Sequence, residues 1–88
     1  MKIKYHKNFV KNYSKRISPN KNLDRRFKER CSIFVDDPLN PILKSHRLLG
    51  AKRHLYAFAV TSDIRVVYQK LDSKTVIFVD IGTHNQVY

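Results

Sequence analysis

Polar and apolar residues alternate in Lys2-Ile3-Lys4-Tyr5, the two-residue repeat of a short strand. The period then lengthens. Phe9, Val10, Tyr13 and Ile17 recur at helical spacing and predict a first helix from about His6 to Arg16. Ser18-Pro19-Asn20 interrupts it, and either Ser18 or Asn20 can cap a second helix by accepting a bond from a free backbone N–H. Leu23, Phe27, Cys31 and Phe34 form one apolar stripe of that second helix, with Arg26, Lys28, Glu29 and Arg30 mostly outside it. Asp36-Asp37-Pro38 ends the helix, and Pro38 to Pro41 reads as a loop.

From His46 the pattern turns to strands. Leu55, Ala57 and Ala59 alternate with Tyr56, Phe58 and Val60, and Thr61-Ser62-Asp63 makes a turn. Ile64 to Lys70 is a β-branched run, Leu71-Asp72-Ser73-Lys74 a hairpin turn, and Thr75 to Ile81 a last strand. The order is strand, two helices, then three or four strands joined by short turns. Segregated helices and meander-like strands define an α+β domain over residues 1–88. Two helices suffice to cover one face of a mostly antiparallel sheet, leaving the other face for a ligand.

Composition narrows the choices. At 88 residues there is room for one domain, and a single Cys excludes an internal disulfide. Cys31 lies on the apolar stripe and reads as a small core residue rather than a nucleophile. The longest apolar run, Leu55 to Val60, is far short of a bilayer span, and no apolar signal region follows Met1, so the expected compartment is the cytoplasm with no membrane partner. The formal charge is +11 and it is uneven. Residues 1–30 hold eleven Lys and Arg against Asp24 and Glu29, whereas residues 63–88 balance Arg65, Lys70 and Lys74 against Asp63, Asp72 and Asp80. A polyanion or an acidic protein is the expected partner.

Few residues stand out chemically. His6, His46, His54 and His84 are far apart, without the spacing of a metal motif. Gly50 and Gly82 read as turn residues. Arg65 is unusual because it lies inside an otherwise apolar strand, on the face shared with Asp63, Val67 and Gln69. Such a charge needs a carboxylate partner, for which Asp63 or Asp80 would serve, or an anion that it can grip bidentately. His84 follows the last strand, where a histidine is well placed for acid–base work or simply solvated; His46 stands at a loop-to-strand transition under the same two readings. Tyr88 could stack on a nucleic-acid base.

Three segments in order, His46-Arg47-Leu48-Leu49-Gly50, Asp63 to Gln69 and Ile81 to Tyr88, resemble the RelE/ParE toxin superfamily of type II toxin–antitoxin pairs. The H-x-L-x-G element and the Gly82-Thr83-His84 ending are similar to its YafQ branch, and Arg65-Val66-Val67-Tyr68-Gln69 to RelE. The resemblance implies two N-terminal helices packed on a curved, mostly antiparallel sheet. It implies an endoribonuclease that cuts mRNA in the ribosomal A site, needs no metal or other cofactor, and is neutralised by an acidic antitoxin. Carried over position by position, it assigns His46, Asp63, Arg65, His84 and Tyr88 to the catalytic site. Lys52, Arg53, His54 and Tyr56 are the expected RNA-facing segment. Two lysines of RelE fall at Tyr56 and Phe58, and a YafQ-type histidine and tryptophan fall at Ala59 and Ile64. Two other readings stay open at this point: a ParE-like gyrase inhibitor, and a catalytically decayed homologue that acts only by binding.

Overall fold

The computed structural model describes residues 1–88. The chain runs β1 (Lys2–Tyr5), α1 (Lys7–Arg16), α2 (Lys21–Asp36), β2 (His46–Arg47), β3 (Tyr56–Ala59), β4 (Ile64–Lys70), β5 (Thr75–Thr83) and α3 (His84–Val87). Short 3-10 turns at Pro41–Leu43 and Gly50–Lys52 flank β2. The five strands form one sheet in the order β1-β5-β4-β3-β2. Only β1 is parallel to its neighbour, β5; the other pairs are antiparallel. The α+β class and the strand–helix–helix–strands order are those expected from periodicity.

Local chemistry sets the helix limits. The His6 Nδ1 accepts from the Asn8 N–H at 3.0 Å and caps α1. Of the two candidate caps before α2, Asn20 takes the role: its Oδ1 accepts from the Asn22 and Leu23 N–H groups at 3.0 and 3.2 Å. Pro38 disfavours helical backbone at Asp37, and α2 stops one residue earlier. Arg16, in the last turn of α1, donates to the Ile81 carbonyl at 2.9 Å and lies 3.6 Å from the Asp80 carboxylate, which ties the helix to β5.

Both helices cover the same sheet face. All five phenylalanines are buried there, with Ile17, Leu43, Val66, Tyr68 and Ile81. The Phe34 ring stacks on Phe58 with centroids 4.7 Å apart and meets Tyr68 edge-on at 4.9 Å. Cys31 is half-buried beside this cluster, and burial pushes its thiol pKa up, which suits packing rather than nucleophilic chemistry.

The opposite face carries a smaller cluster of Leu48, Ala57, Val67 and Val87, with Leu55, Val79 and Tyr88 against it. This face is therefore not wholly open, as two-helix packing would suggest. The strand expected to end at Ile81 continues to Thr83, and α3 then folds back over the sheet. In β5 the register slips: Val67 opposes Asp80 and Tyr68 opposes Phe78, so Val79 is an extra residue. That bulge lets Val76, Phe78 and Ile81 all reach the helix-side core despite their uneven spacing.

The two glycines play different parts. Gly50 has φ +67° and starts the turn after β2, as its type suggests. Gly82 is no turn residue. It is buried in β5, where a Cβ would fall 2.6 Å from Gln86 Oε1 and 2.7 Å from Arg16 Nη1. Its lack of a side chain lets α1 and α3 both close on the strand end.

Candidate active site

Three separated segments meet at the edge of the minor cluster. His46 lies on β2 and pairs with Ala57, which fixes its strand position at the sheet edge. His84 is the first residue of α3, and Tyr88 follows that helix. The Gln86 Oε1 accepts from the Thr83 N–H at 2.8 Å and closes the start of α3. Val87 is buried against the sheet, and Lys52 Nζ donates to the Val87 and Tyr88 carbonyl oxygens at 3.3 and 3.0 Å. With both the start and end of α3 held, Tyr88 is placed between the histidines. Its ring meets His84 edge-on at 4.4 Å and His46 edge-on at 6.1 Å.

The polar atoms define a direction. A carbonyl can only accept, so the 3.2 Å contact between His46 Nδ1 and the Lys44 carbonyl puts a proton on Nδ1 in the neutral ring. The Nε2 lone pair then faces the Tyr88 hydroxyl at 3.4 Å. Burial pushes the Tyr88 hydroxyl pKa up, and the neighbouring Arg65 guanidinium partly offsets this by charge and hydrogen bonding. His46, Leu48, Leu49, Lys52, His84 and Tyr88 line a cleft of about 340 Å³.

Arg65 faces the cleft side of the sheet with Val67, as strand alternation requires. Neither carboxylate expected to partner it does so. Asp80 accepts from Asn12 at 2.7 Å and pairs with Arg16, while Asp63 is exposed on the β3–β4 turn. Arg65 instead donates to the Thr61 carbonyl at 2.6 Å, which leaves other guanidinium N–H groups for a ligand.

The structure thus gathers His46, His84 and Tyr88 in the cleft, brings Arg65 against Tyr88 from outside the residues that line it, and leaves Asp63 exposed on the β3–β4 turn. Of the expected RNA-facing residues, Lys52 borders the cleft; Arg53 and His54 are exposed beyond it. Tyr56 stands apart from these residues. It lies on the helix face, stacked on Tyr68 at 5.6 Å, with its hydroxyl accepting from Arg47 at 2.9 Å and Lys70 above its ring. Tyr56 and Phe58 both turn away from the cleft because Ala57 and Ala59 alternate onto it. Those strand positions therefore cannot supply cleft groups in this chain. Sequence reading missed the tethering role of Lys52, which depends on a contact across 35 residues and has no local signal.

This architecture is that of RelE-like toxins. The structure of YafQ from Escherichia coli strain BL21(DE3) superposes with a TM-score of 0.79, at 22% identity over 98% of this chain and 96% of that one. YafQ in the E. coli DinJ–YafQ complex gives 0.78 at 22% identity over the same shares, 98% and 96%. A YoeB/ParE toxin from Agrobacterium tumefaciens gives 0.79 at 14% identity, over 96% of this chain and 99% of that one. No curated protein sequence matches the chain. A family model described as "Bacterial toxin of type II toxin-antitoxin system, YafQ" matches residues 1–88, and the chain belongs to that family.

Proposed function

We propose that this toxin is an endoribonuclease that cleaves mRNA on the ribosome, using the 2′-hydroxyl of its substrate as the nucleophile. The observation that carries this reading is the grouping of two imidazoles, one phenol and one guanidinium without a carboxylate partner on the same sheet face. An enzyme that splits RNA this way needs a base, an acid and a cation, and these side chains can fill all three roles.

The base takes the proton of the 2′-hydroxyl, and the freed oxygen attacks the adjacent phosphorus. The bond from phosphorus to the 5′-oxygen breaks as the acid protonates that oxygen. The products are a 2′,3′-cyclic phosphate and a 5′-hydroxyl end. His46 suits the base role, because its Nε2 lone pair is turned to the cleft, where only the Tyr88 hydroxyl at 3.4 Å meets it; Asp63 is the other candidate. His84 is the acid, Arg65 stabilises charge on the phosphate, and Tyr88 stacks on or positions a base. Catalysis needs no metal ion in this scheme.

The strongly basic surface suits both RNA and an acidic antitoxin that occludes it; the E. coli relative is found in a toxin–antitoxin complex with DinJ. Cleavage of mRNA in a ribosome-containing cell-free translation system is the direct test. His84→Ala is expected to lower the rate about 10²–10⁴-fold. Arg65→Gln combined with His84→Ala should abolish cleavage, and undiminished cutting by that double variant would sink the assignment. Intact mRNA with normal translation would instead favour gyrase inhibition or a decayed toxin, which a supercoiling assay separates.

A further inference from the structure

A second group of residues lies at the Ala59 end of β3, an edge that β2 does not cover, where the cleft face meets α2. Ala59 opposes Arg65 across β3 and β4, and Lys44 precedes His46 on the neighbouring edge. Arg26 and Arg30, one turn apart on α2, complete a pocket of about 300 Å³ with these residues, with Thr61 at its side. Four cations and no carboxylate line it. The two ion pairs of the molecule lie elsewhere, between Arg16 and Asp80 and between Lys28 and Asp24. Arg30 donates to the Ile42 carbonyl at 2.8 Å and Arg65 to that of Thr61, so neutral acceptors orient both guanidinium groups without cancelling their charge. Lys44 is the only non-glycine residue with positive φ, at 50°, a backbone state that favours glycine and is uncommon for other residues. Ala59, opposite Arg65 across β3 and β4, puts only a methyl group into the wall of the pocket.

Like charges gathered around a recess repel unless an anion joins them. We propose that this pocket binds a backbone phosphate of single-stranded RNA next to the scissile one, with Arg65 reaching both phosphates. The proposal rests on the RNA-cleaving reading above. Two features favour RNA over the carboxylates of an acidic protein. Arg65 belongs to the pocket and also lies beside Tyr88, so one strand can run from pocket to cleft. The cations line a recess with only a methyl group at Ala59 in its wall, which fits a compact tetrahedral anion gripped from several sides.

The test is equilibrium binding of 2′-O-methyl RNA oligonucleotides of increasing length to the full chain, over a range of salt. These probes cannot be cleaved, so binding is read separately from catalysis. Arg26→Gln combined with Lys44→Gln removes two charges that make no hydrogen bond in the fold. Affinity should fall about tenfold. The slope of log K against log salt should become shallower by about 0.7, the value for one phosphate on a single strand. The gain on adding the nucleotide that reaches the pocket should disappear. Ala59→Met enlarges the wall without changing charge, and should erase the same gain while thermal unfolding shows a folded chain. Unchanged RNA affinity and slope in the charge variant overturn the proposal, as does an Ala59→Met variant that binds like wild type. Normal RNA binding with weakened binding of the purified acidic antitoxin would assign the pocket to that protein and also overturn it. If wild type cuts mRNA yet neither variant changes oligonucleotide binding, the pocket proposal fails alone; if it cuts nothing while both variants weaken binding, only the cleavage reading fails.

Discussion

The two faces of the sheet are built to different standards. On the helix side, thirteen buried residues form one cluster dominated by aromatic rings, with Phe78 touching Phe9, Phe27, Phe34 and Phe58. On the cleft side, four buried aliphatic residues hold a single turn of helix. The first face is given over to apolar packing; the second trades apolar contact for His46, Arg65, His84 and Tyr88. Apolar packing and exposed polar side chains are thus divided between faces, and the difference can be broken experimentally.

The largest effect is expected on the helix side. Phe58→Ala removes a ring stacked on Phe34 from a fully buried site, and should cost about 3–5 kcal/mol in urea unfolding. Its cleavage activity should fall only in proportion to the fraction unfolded. Val87→Ala should do the reverse: a stability loss of about 1–2 kcal/mol, but a disproportionate drop in cleavage, because the side chain that seats α3 also positions His84 and Tyr88. Parallel losses in both assays for both variants would erase the distinction between the faces.

The smallest effect is a pH dependence at the α1–α2 contact, far from the cleft. The Tyr13 hydroxyl donates to Asp24, and Lys28 Nζ lies 2.9 Å from the other carboxylate oxygen. The Tyr13 bond first, and Lys28 after it, hold the Asp24 carboxyl below its usual range. A depressed folded-state pKa adds stability above the unfolded value of about 3.9, lost as pH falls through the lower folded value. Tyr13→Phe should therefore narrow the gap to wild type in that acid range. Burial, followed by the Asp24 contact, pushes the Tyr13 hydroxyl up. Unfolding releases that restraint, so wild type should lose stability relative to Tyr13→Phe above about pH 10. Unfolding curves at several pH values check both limbs; parallel curves would discount the Tyr13–Asp24 bond.

The fold was legible because its elements have strong periods. Phe9, Tyr13 and Ile17 mark α1, Leu23 to Phe34 mark α2, and β-branched runs mark β4 and β5. The four residues of α3 are too few to show a helical period; Thr83-x-x-Gln86 was the available start signal. The alternation of Tyr56 with Ala57 was visible, but which of them faced the helices depended on pairing with Tyr68 and Val67. His46, Arg65, His84 and Tyr88 were nameable by type and motif, whereas the 3.4 Å approach of Tyr88 to His46 spans 42 residues and required the sheet order. Arg65 looked in need of a carboxylate partner or a bound anion; the Thr61 carbonyl, supplied by the turn just before it, accepts from it without neutralising it.

The extra residue at Val79 sets the phase of everything after it. Upstream, even-numbered Val76 and Phe78 point to the helices; downstream, odd-numbered Ile81 does. The terminal segment therefore works like a thread whose pitch has been advanced by one step. Deleting Val79 would remove the bulge and leave Ile81 two residues after Phe78, so plain alternation would keep both in the core; deleting Gly82 would instead turn every residue after it to the other side. Length variation among homologues should be tolerated in the Leu71–Lys74 hairpin and excluded from Ile81 to Thr83, where a single codon decides which side of the sheet receives the histidine.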